Sequence, residues 1–571
     1  MKISRRKALK MLALATPAAC LSRAYGQATE PVDPNAAAAS ATPAGAAPAI
    51  QSARPIPPAP AHIPAPPNFG IATGPFQPTW ESLAGQYQVP DWYRDAKFGI
   101  WAHWGPQCQP EMGDWYAQRM YQEQNPAHKW HIEKYGHPSK FGFKDVINQW
   151  KAENWDPAAL VALYKTAGAQ FFAAMANHHD NLDLYDSTYQ PWNSVRVGPK
   201  QDIVGGWMRA TRDAGLRFAV TCHGDRAWSW YQDAQAFDGR LSKADGKGQW
   251  WEGLDPQDLY AQYHERGKYN WEQQPQDGAP SVEPNFIAKF FNRTIDLLDK
   301  YEPDLLYFDD TVLPLYPSSD IGLKIAAYFY NTNLTKKGKL DAVIASKQLK
   351  GEQRKAMVWD VERGVAQGGE PLPWQTDTCI GSWHYDRRDY EQDRYKSARQ
   401  VVQMLIDIVS KNGCLQLSVP VRADGTIDEK EVAIVEGIGA WMNGGNSEGI
   451  YATRPWKVYG EGPSVSASQP TGRFGGARDV RPYTAEDIRF TAKGDTVYAY
   501  LMGWPDGGTA RVKSLGKNGG HYDREVGRVE LLGGDAGAPL TFAHEADALV
   551  VTLPEKRPND IAVGLKIMPK T

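Results

Sequence analysis

The sequence predicts a (β/α) barrel followed by a small antiparallel β-sandwich. Three observations point there. Helix-like and strand-like segments alternate from about residue 96 to residue 442, and polar or charged residues follow the strand-like runs. Beyond residue 452 the chain changes to short alternating runs broken by Gly, Asp and Pro. A length of 571 residues accommodates a barrel and a smaller partner.

Residues 1–26 read as a twin-arginine export signal: Ser4-Arg5-Arg6-Lys7 precedes an apolar stretch at 11–21 and small residues around Gly26. That stretch is too short to remain as a membrane span, so a periplasmic protein is expected, with lipoprotein anchoring at Cys20 as the alternative. Residues 27–74 are mostly Ala and Pro and cannot bury enough apolar surface to offset the entropy of ordering, so they should form a disordered tether. The barrel is assigned to residues 75–452 and the sandwich to 453–571.

Within the barrel the first strand is expected in residues 96–105 and ends at His103. Residues 156–166 carry helical spacing, and the apolar run 169–176 then leads into Asn177-His178-His179-Asp180. A second helix–strand unit, 203–214 and 216–222, ends at His223. The segment 230–283 is polar and rich in Trp, and is read as a long loop over the active face. A helix at 284–300 leads to the segment 301–310, YEPDLLYFDD, around which the chain is organised. Its apolar residues 305–308 follow a turn signal and stop at Asp309 and Asp310. Those carboxylates either cap the next helix or do chemistry at the carboxyl end of a barrel strand. Further strands are expected at 342–346, 355–359 and 414–419, with Glu362 just after the second, and helices at 321–331, 397–411 and 429–442.

A net charge of -3 and an isoelectric point near 6.5, without a long basic run, give no electrostatic footprint for nucleic acid. The 21 Trp and 27 Tyr suit a partner with apolar faces, such as a sugar ring. The cysteines show no CxxC or zinc-finger spacing, so neither a metal nor a cofactor is assigned, and isolated buried thiols are expected. The residues at strand ends are His103, His178, His179, Asp180, His223, Asp309 and Glu362. A metal-dependent hydrolase would use them as ligands; a glycosidase would use two carboxyls, with imidazoles and aromatics gripping hydroxyls. Adjacent His178 and His179 point to opposite faces while they remain on a strand, which favours the glycosidase. A non-catalytic sugar-binding protein would not need the carboxyl pair.

Six segments resemble the α-L-fucosidases of glycoside hydrolase family 29, in order over residues 92–456. KFGIWAHWG is similar to that family's KFGxFxHWG, GDWYAQRM to EWYxxxM, and ANHHDNLDLYDS to KHHDGFxLWDS. YEPDLLYFDD is similar to YxPDxxWFDG, SWHYDRRDY to SWGY, and IVSKNGCLQLSVPVRADGTI to VSKxGxLLLNxxPxxDGxI. The resemblance implies a (β/α) barrel with a β-sandwich and a retaining exo-glycosidase acting on terminal α-L-fucose of fucosylated glycans. It places the nucleophile at Asp309. It assigns the hydroxyl contacts to His103, His178 and His179, and an aromatic beside the sugar's methyl group to Trp383. Trp104, Asp114, Trp115, His223 and Tyr307 complete the expected substrate-binding set, with Asp114, His223 and Tyr307 departing from the family's usual residues. The acid/base varies in position within the family. Glu362 is chosen here because it follows a strand downstream of Asp309, with Glu370 as the alternative.

Overall fold

A computed structural model of the chain describes residues 72–261, 269–309, 312–466, 482–534 and 537–570. The export signal, nearly all of the expected tether and Asp310 lie outside the described residues. Eight parallel strands form a closed barrel: β1 (Phe98–Ala102), β2 (Phe171–Asn177), β3 (Arg217–Cys222), β4 (Leu305–Phe308), β5 (Val343–Lys347), β6 (Val358–Asp360), β7 (Trp374–Cys379) and β8 (Gly413–Ser418). β8 pairs back onto β1 in parallel register and closes the ring.

Alternation along each strand divides the apolar residues between two cores. Trp101, Phe171, Ala173, Ala219, Leu305, Tyr307, Val343, Ala345 and Val358 pack inside the barrel. Phe98, Ile100, Phe172, Phe218, Val220, Leu306, Phe308, Ile344 and Leu415 face the helices. The bulky interior rings are accommodated by small neighbours. A Cβ on Gly99 would meet the Phe171 ring at 2.3 Å, so that glycine leaves the space Phe171 fills.

The outer helices start where their sequences signal it. Asp156, Asp202, Ser397 and Asp428 cap the helices Pro157–Thr166, Ile203–Asp213, Ala398–Ser410 and Glu429–Asn443, each accepting from backbone N–H groups of the first turn. Two segments differ from the sequence reading. Residues 355–359 were expected as strand, but Gln353–Ala356 is a helical turn and only Val358–Asp360 joins the barrel. Lys355 would otherwise have to enter the barrel wall, whereas in the helical turn its ammonium stays exposed and pairs with Glu352 at 2.8 Å. The segment over the active face is folded into short helices rather than open loop. Buried Asp238 ties it down, accepting from Tyr121 and Tyr260 at 2.6 Å and pairing with Lys144 at 3.3 Å.

The C-terminal strands form two antiparallel sheets. One has the order β13 (Val526–Leu531), β16 (Val563–Pro569), β11 (Thr496–Leu501), β10 (Ile488–Lys493), β9 (Arg454–Glu461); the other has β12 (Thr509–Val512), β15 (Leu549–Thr552), β14 (Phe542–His544). Phe490, Leu501, Val512, Val551 and Leu565 fill the space between them, and Trp504 packs against this core. The sandwich docks on two barrel helices. Gln403 donates to the carbonyls of Met502 (2.9 Å) and Ile561 (3.2 Å), and the Trp441 indole donates to that of Ala562 (2.8 Å). Cys108, Cys222, Cys379 and Cys414 are buried thiols. Among the described residues no helix is long and apolar enough to cross a membrane.

Candidate active site

Each strand from β1 to β7 delivers a side chain to the carboxyl end of the barrel: His103 after β1, His178 and His179 after β2, His223 after β3, Asp309 after β4, Lys347 at the end of β5, Glu362 after β6, and Trp383 and His384 after β7. The helix after β4 begins only at Ile321, behind Asp320, so Asp309 does not cap it.

Asp309 is held from three directions. His223 Nδ1 lies 2.8 Å from its Oδ2, while Lys347 Nζ and, at 3.3 Å, the Tyr307 hydroxyl reach its Oδ1. Burial alone would raise its pKa, but the Lys347 ammonium and His223 overcome that and hold the carboxyl well below the usual range. Lys347 also donates to Glu362 Oε2 at 2.5 Å. Two oxygens sharing one ammonium at ordinary charge-assisted lengths lie within roughly 5.5 Å of each other.

Glu362 is fixed by its backbone neighbours. Val361 and Arg363 donate to the carbonyls of Gln375 and Asp377 on β7 at 2.9 and 2.8 Å, and Arg363 takes the left-handed φ of +47° that turns the chain away. Burial pushes Glu362 up to about 7; Asp377 and Asp309 add to the rise and Lys347 opposes it. At neutral pH a large fraction of it is therefore protonated. Behind it, Asp360 and Asp377 share the barrel interior, and burial and the Asp377 charge push Asp360 well above the carboxylate range. Glu370 lies at the other end of the barrel. It precedes β7, its N–H donates to Lys411 just before β8, and its carboxylate pairs with Arg354 at 2.7 Å.

The imidazoles line the wall. His103 packs its ring against Trp101 (4.7 Å), His178 (5.0 Å) and His384 (4.6 Å). Burial and neighbouring histidines hold His103 and His178 well below the usual imidazole range, so both are neutral. The turn after β2 is clamped by Arg293, which donates to Asp183 Oδ2 at 3.0 Å and to Asn181 Oδ1 at 2.6 Å. Since β2 ends at Asn177, strand alternation no longer separates His178 from His179, and their rings lie 4.5 Å apart. The premise used against shared ligation thus fails in the folded chain.

His179 also meets Trp230 (5.6 Å) and Trp271 (5.9 Å), two residues of the folded insert. Trp115 abuts Trp271 edge to face at 5.3 Å. Trp383 stands beside Trp101 at 5.3 Å with the Arg363 guanidinium 4.8 Å over its ring. Asp114 accepts from the His384 N–H at 2.7 Å and so holds the loop that carries Trp383. Trp104 is the expected sugar contact that the structure places elsewhere. One residue beyond His103 on the same extended chain, it faces outward, donates to the Arg422 carbonyl at 2.8 Å and packs against Trp150, Trp155 and Trp207. Asp180 turns back toward Gln107, 3.1 Å away, and burial raises it to about 6. Sequence reasoning missed Lys347, His384 and Trp271. Lys347 had a signal, a lysine closing an apolar strand, but the strand was read one residue short.

Comparison with known proteins follows the same lines. The family model described as "Alpha-L-fucosidase" matches residues 68–447, and the one described as "Alpha-L-fucosidase C-terminal domain" matches residues 481–568. The tissue alpha-L-fucosidase of Rattus norvegicus is 24% identical over 464 residues, covering 78% of this chain and 83% of its own. The Thermotoga maritima alpha-fucosidase in complex with fucose superposes with a TM-score of 0.64 at 24% identity, over 86% of this chain and all of that one. A Bacteroides thetaiotaomicron family 29 enzyme, described as a trapped covalent intermediate, superposes with a TM-score of 0.56 at 16% identity, over 88% and 99%.

Proposed function

The chain belongs to the alpha-L-fucosidase family, and from that premise we propose that it is a retaining exo-glycosidase that removes terminal α-L-fucose by double displacement, with Asp309 as nucleophile and Glu362 as acid/base. The observation that carries this reading is the single ammonium of Lys347 shared by two carboxyls of opposite protonation preference. Retaining enzymes keep their two carboxyl groups about 5–5.5 Å apart, whereas inverting enzymes leave about 6.5–9.5 Å for a water.

Asp309 attacks the anomeric carbon, the bond to the leaving oxygen breaks, and Glu362 delivers its proton to that oxygen. Ester formation removes the charge of Asp309. One cause of the raised Glu362 pKa disappears while Lys347 remains, so Glu362 settles as a carboxylate able to take a proton from water. That water attacks the same carbon and frees Asp309. His103, His178 and His179 are placed to grip hydroxyls, with Trp383 against an apolar edge of the ring. The twin-arginine motif supports export to the periplasm. NMR of the first product formed from an aryl α-L-fucoside tests the reading: the α-anomer is expected, and the β-anomer overturns it.

A further inference from the structure

Three imidazoles from three strands converge on one point of the pocket wall: His103, His178 and His384. Their ligand nitrogens lie within 4.8 Å of one another, and their ring centroids are 5.0, 4.6 and 5.0 Å apart. All three are buried, at 4%, 3% and 0% exposure; among the described residues neither ring nitrogen of His103 has a hydrogen-bond partner, and His384 Nδ1 faces only Asp114. A buried ring nitrogen left without a partner is unfavourable, so the cluster is suited to receive a ligand. One further feature suits a cation: three imidazoles around a tetrahedral zinc, at about 2.0–2.1 Å per bond, place their ring centroids about 5 Å apart. His178 Nδ1 lies 2.9 Å from the Gln107 amide nitrogen, which also donates to Asp180 Oδ2 at 3.1 Å, so His178 has only its other ring nitrogen to offer an ion. Asp114, whose Oδ1 lies 3.6 Å from His384 Nδ1, supplies negative charge behind the cluster.

We propose that His103, His178 and His384 form a three-imidazole site for a borderline divalent ion, with zinc(II) as the reference, inside the sugar pocket, and that the ion and the sugar exclude each other. The exclusion rests on the reading of the pocket given above; the binding of the ion does not. His384 is the decisive ligand, because it completes a set that His103 and His178 alone leave at two.

The test uses the untagged, chelator-stripped full chain. Titration with cobalt(II) should saturate at one equivalent with the visible d–d spectrum of a tetrahedral ion, and zinc(II) should displace it. Zinc(II) should inhibit aryl-fucoside hydrolysis competitively, with an inhibition constant equal to its calorimetric dissociation constant, and free fucose should weaken zinc binding. His384→Gly and His384→Gln should each weaken zinc binding by at least about tenfold. The site is overturned if cobalt gives no stoichiometric tetrahedral spectrum, or if a His384 variant with wild-type melting binds zinc as the parent does. Stoichiometric zinc that leaves hydrolysis untouched overturns the exclusion. A protein that hydrolyses no fucoside overturns the proposed function, while the cobalt spectrum still decides the site.

Discussion

Two buried charge clusters divide this molecule, and their difference separates holding from reacting. Between barrel and sandwich, Asp407 pairs with Lys411 at 2.7 Å and with Arg489 at 2.6 Å, so one carboxylate meets two cations. At the mouth of the barrel the ratio is reversed: Lys347 is shared by Asp309 and Glu362, with Asp377 4.0 Å away and Asp360 behind. Burial would raise Asp407, but its two cations hold it low, and nothing in that cluster has reason to take a proton. The barrel cluster holds too many carboxyls for one ammonium, so Asp309 is held ionised while Glu362 and Asp360 are pushed toward the protonated form. That division is what acid–base catalysis needs.

The comparison breaks most sharply at Asp309. Asp309→Gly should lower turnover by at least about 10⁴-fold while leaving the melting temperature near wild type, and azide should restore part of it by attacking from the vacated side. Azide rescue at another carboxylate would move the nucleophile. Glu362→Ala should cost about 10²–10⁴-fold on substrates with poor leaving groups and less than about tenfold on an activated aryl fucoside. Equal losses on both substrates would reduce Glu362 to a positioning role. At the other cluster the signature reverses. Asp407→Ala strands two buried cations and should cost about 3–5 kcal/mol of unfolding free energy in denaturant titration, with kcat/KM on the folded protein unchanged. A fall in kcat/KM there would show that docking of the sandwich shapes the active face.

Much of this was legible in the sequence for physical reasons. The helices expected at 156–166, 203–214, 397–411 and 429–442 form, and in the folded chain Asp156, Asp202, Ser397 and Asp428 satisfy their first-turn N–H groups. The histidines and Asp309 could be placed because a closed parallel barrel gathers strand ends on one face. Trp104 could not be told from His103 without knowing which of two neighbours faces inward. His384 and Trp271 depend on how loops fold back across strands, and no period in the sequence records that. Glu362 was separated from Glu370 by topology: one follows β6, whereas the other precedes β7 and so falls at the opposite end of the barrel.

The smallest expected effect is the most direct measure of the charge imbalance. Lys347 is faced by Asp309 and Tyr307 of the β4 segment, by Asp360 and Glu362 of the β6 segment, and by Asp377 of β7. Its ammonium stabilises the ionised form of both Asp309 and Glu362, so it lowers both pKa values. In Lys347→Met both must rise. The acidic limb of the kcat/KM profile, where Asp309 takes up a proton, then moves to higher pH. The basic limb, where Glu362 gives up its proton from a starting value of about 7, moves in the same direction. An opposite charge at this range is worth roughly one to three pH units, and Lys347→Arg, which keeps the cation, should restore most of the original profile. Because the two carboxyls titrate as a coupled pair, the limbs report the pair and not either residue alone. Limbs that move in opposite directions, or a profile that does not move, would mean that Lys347 does not set the protonation of the pair.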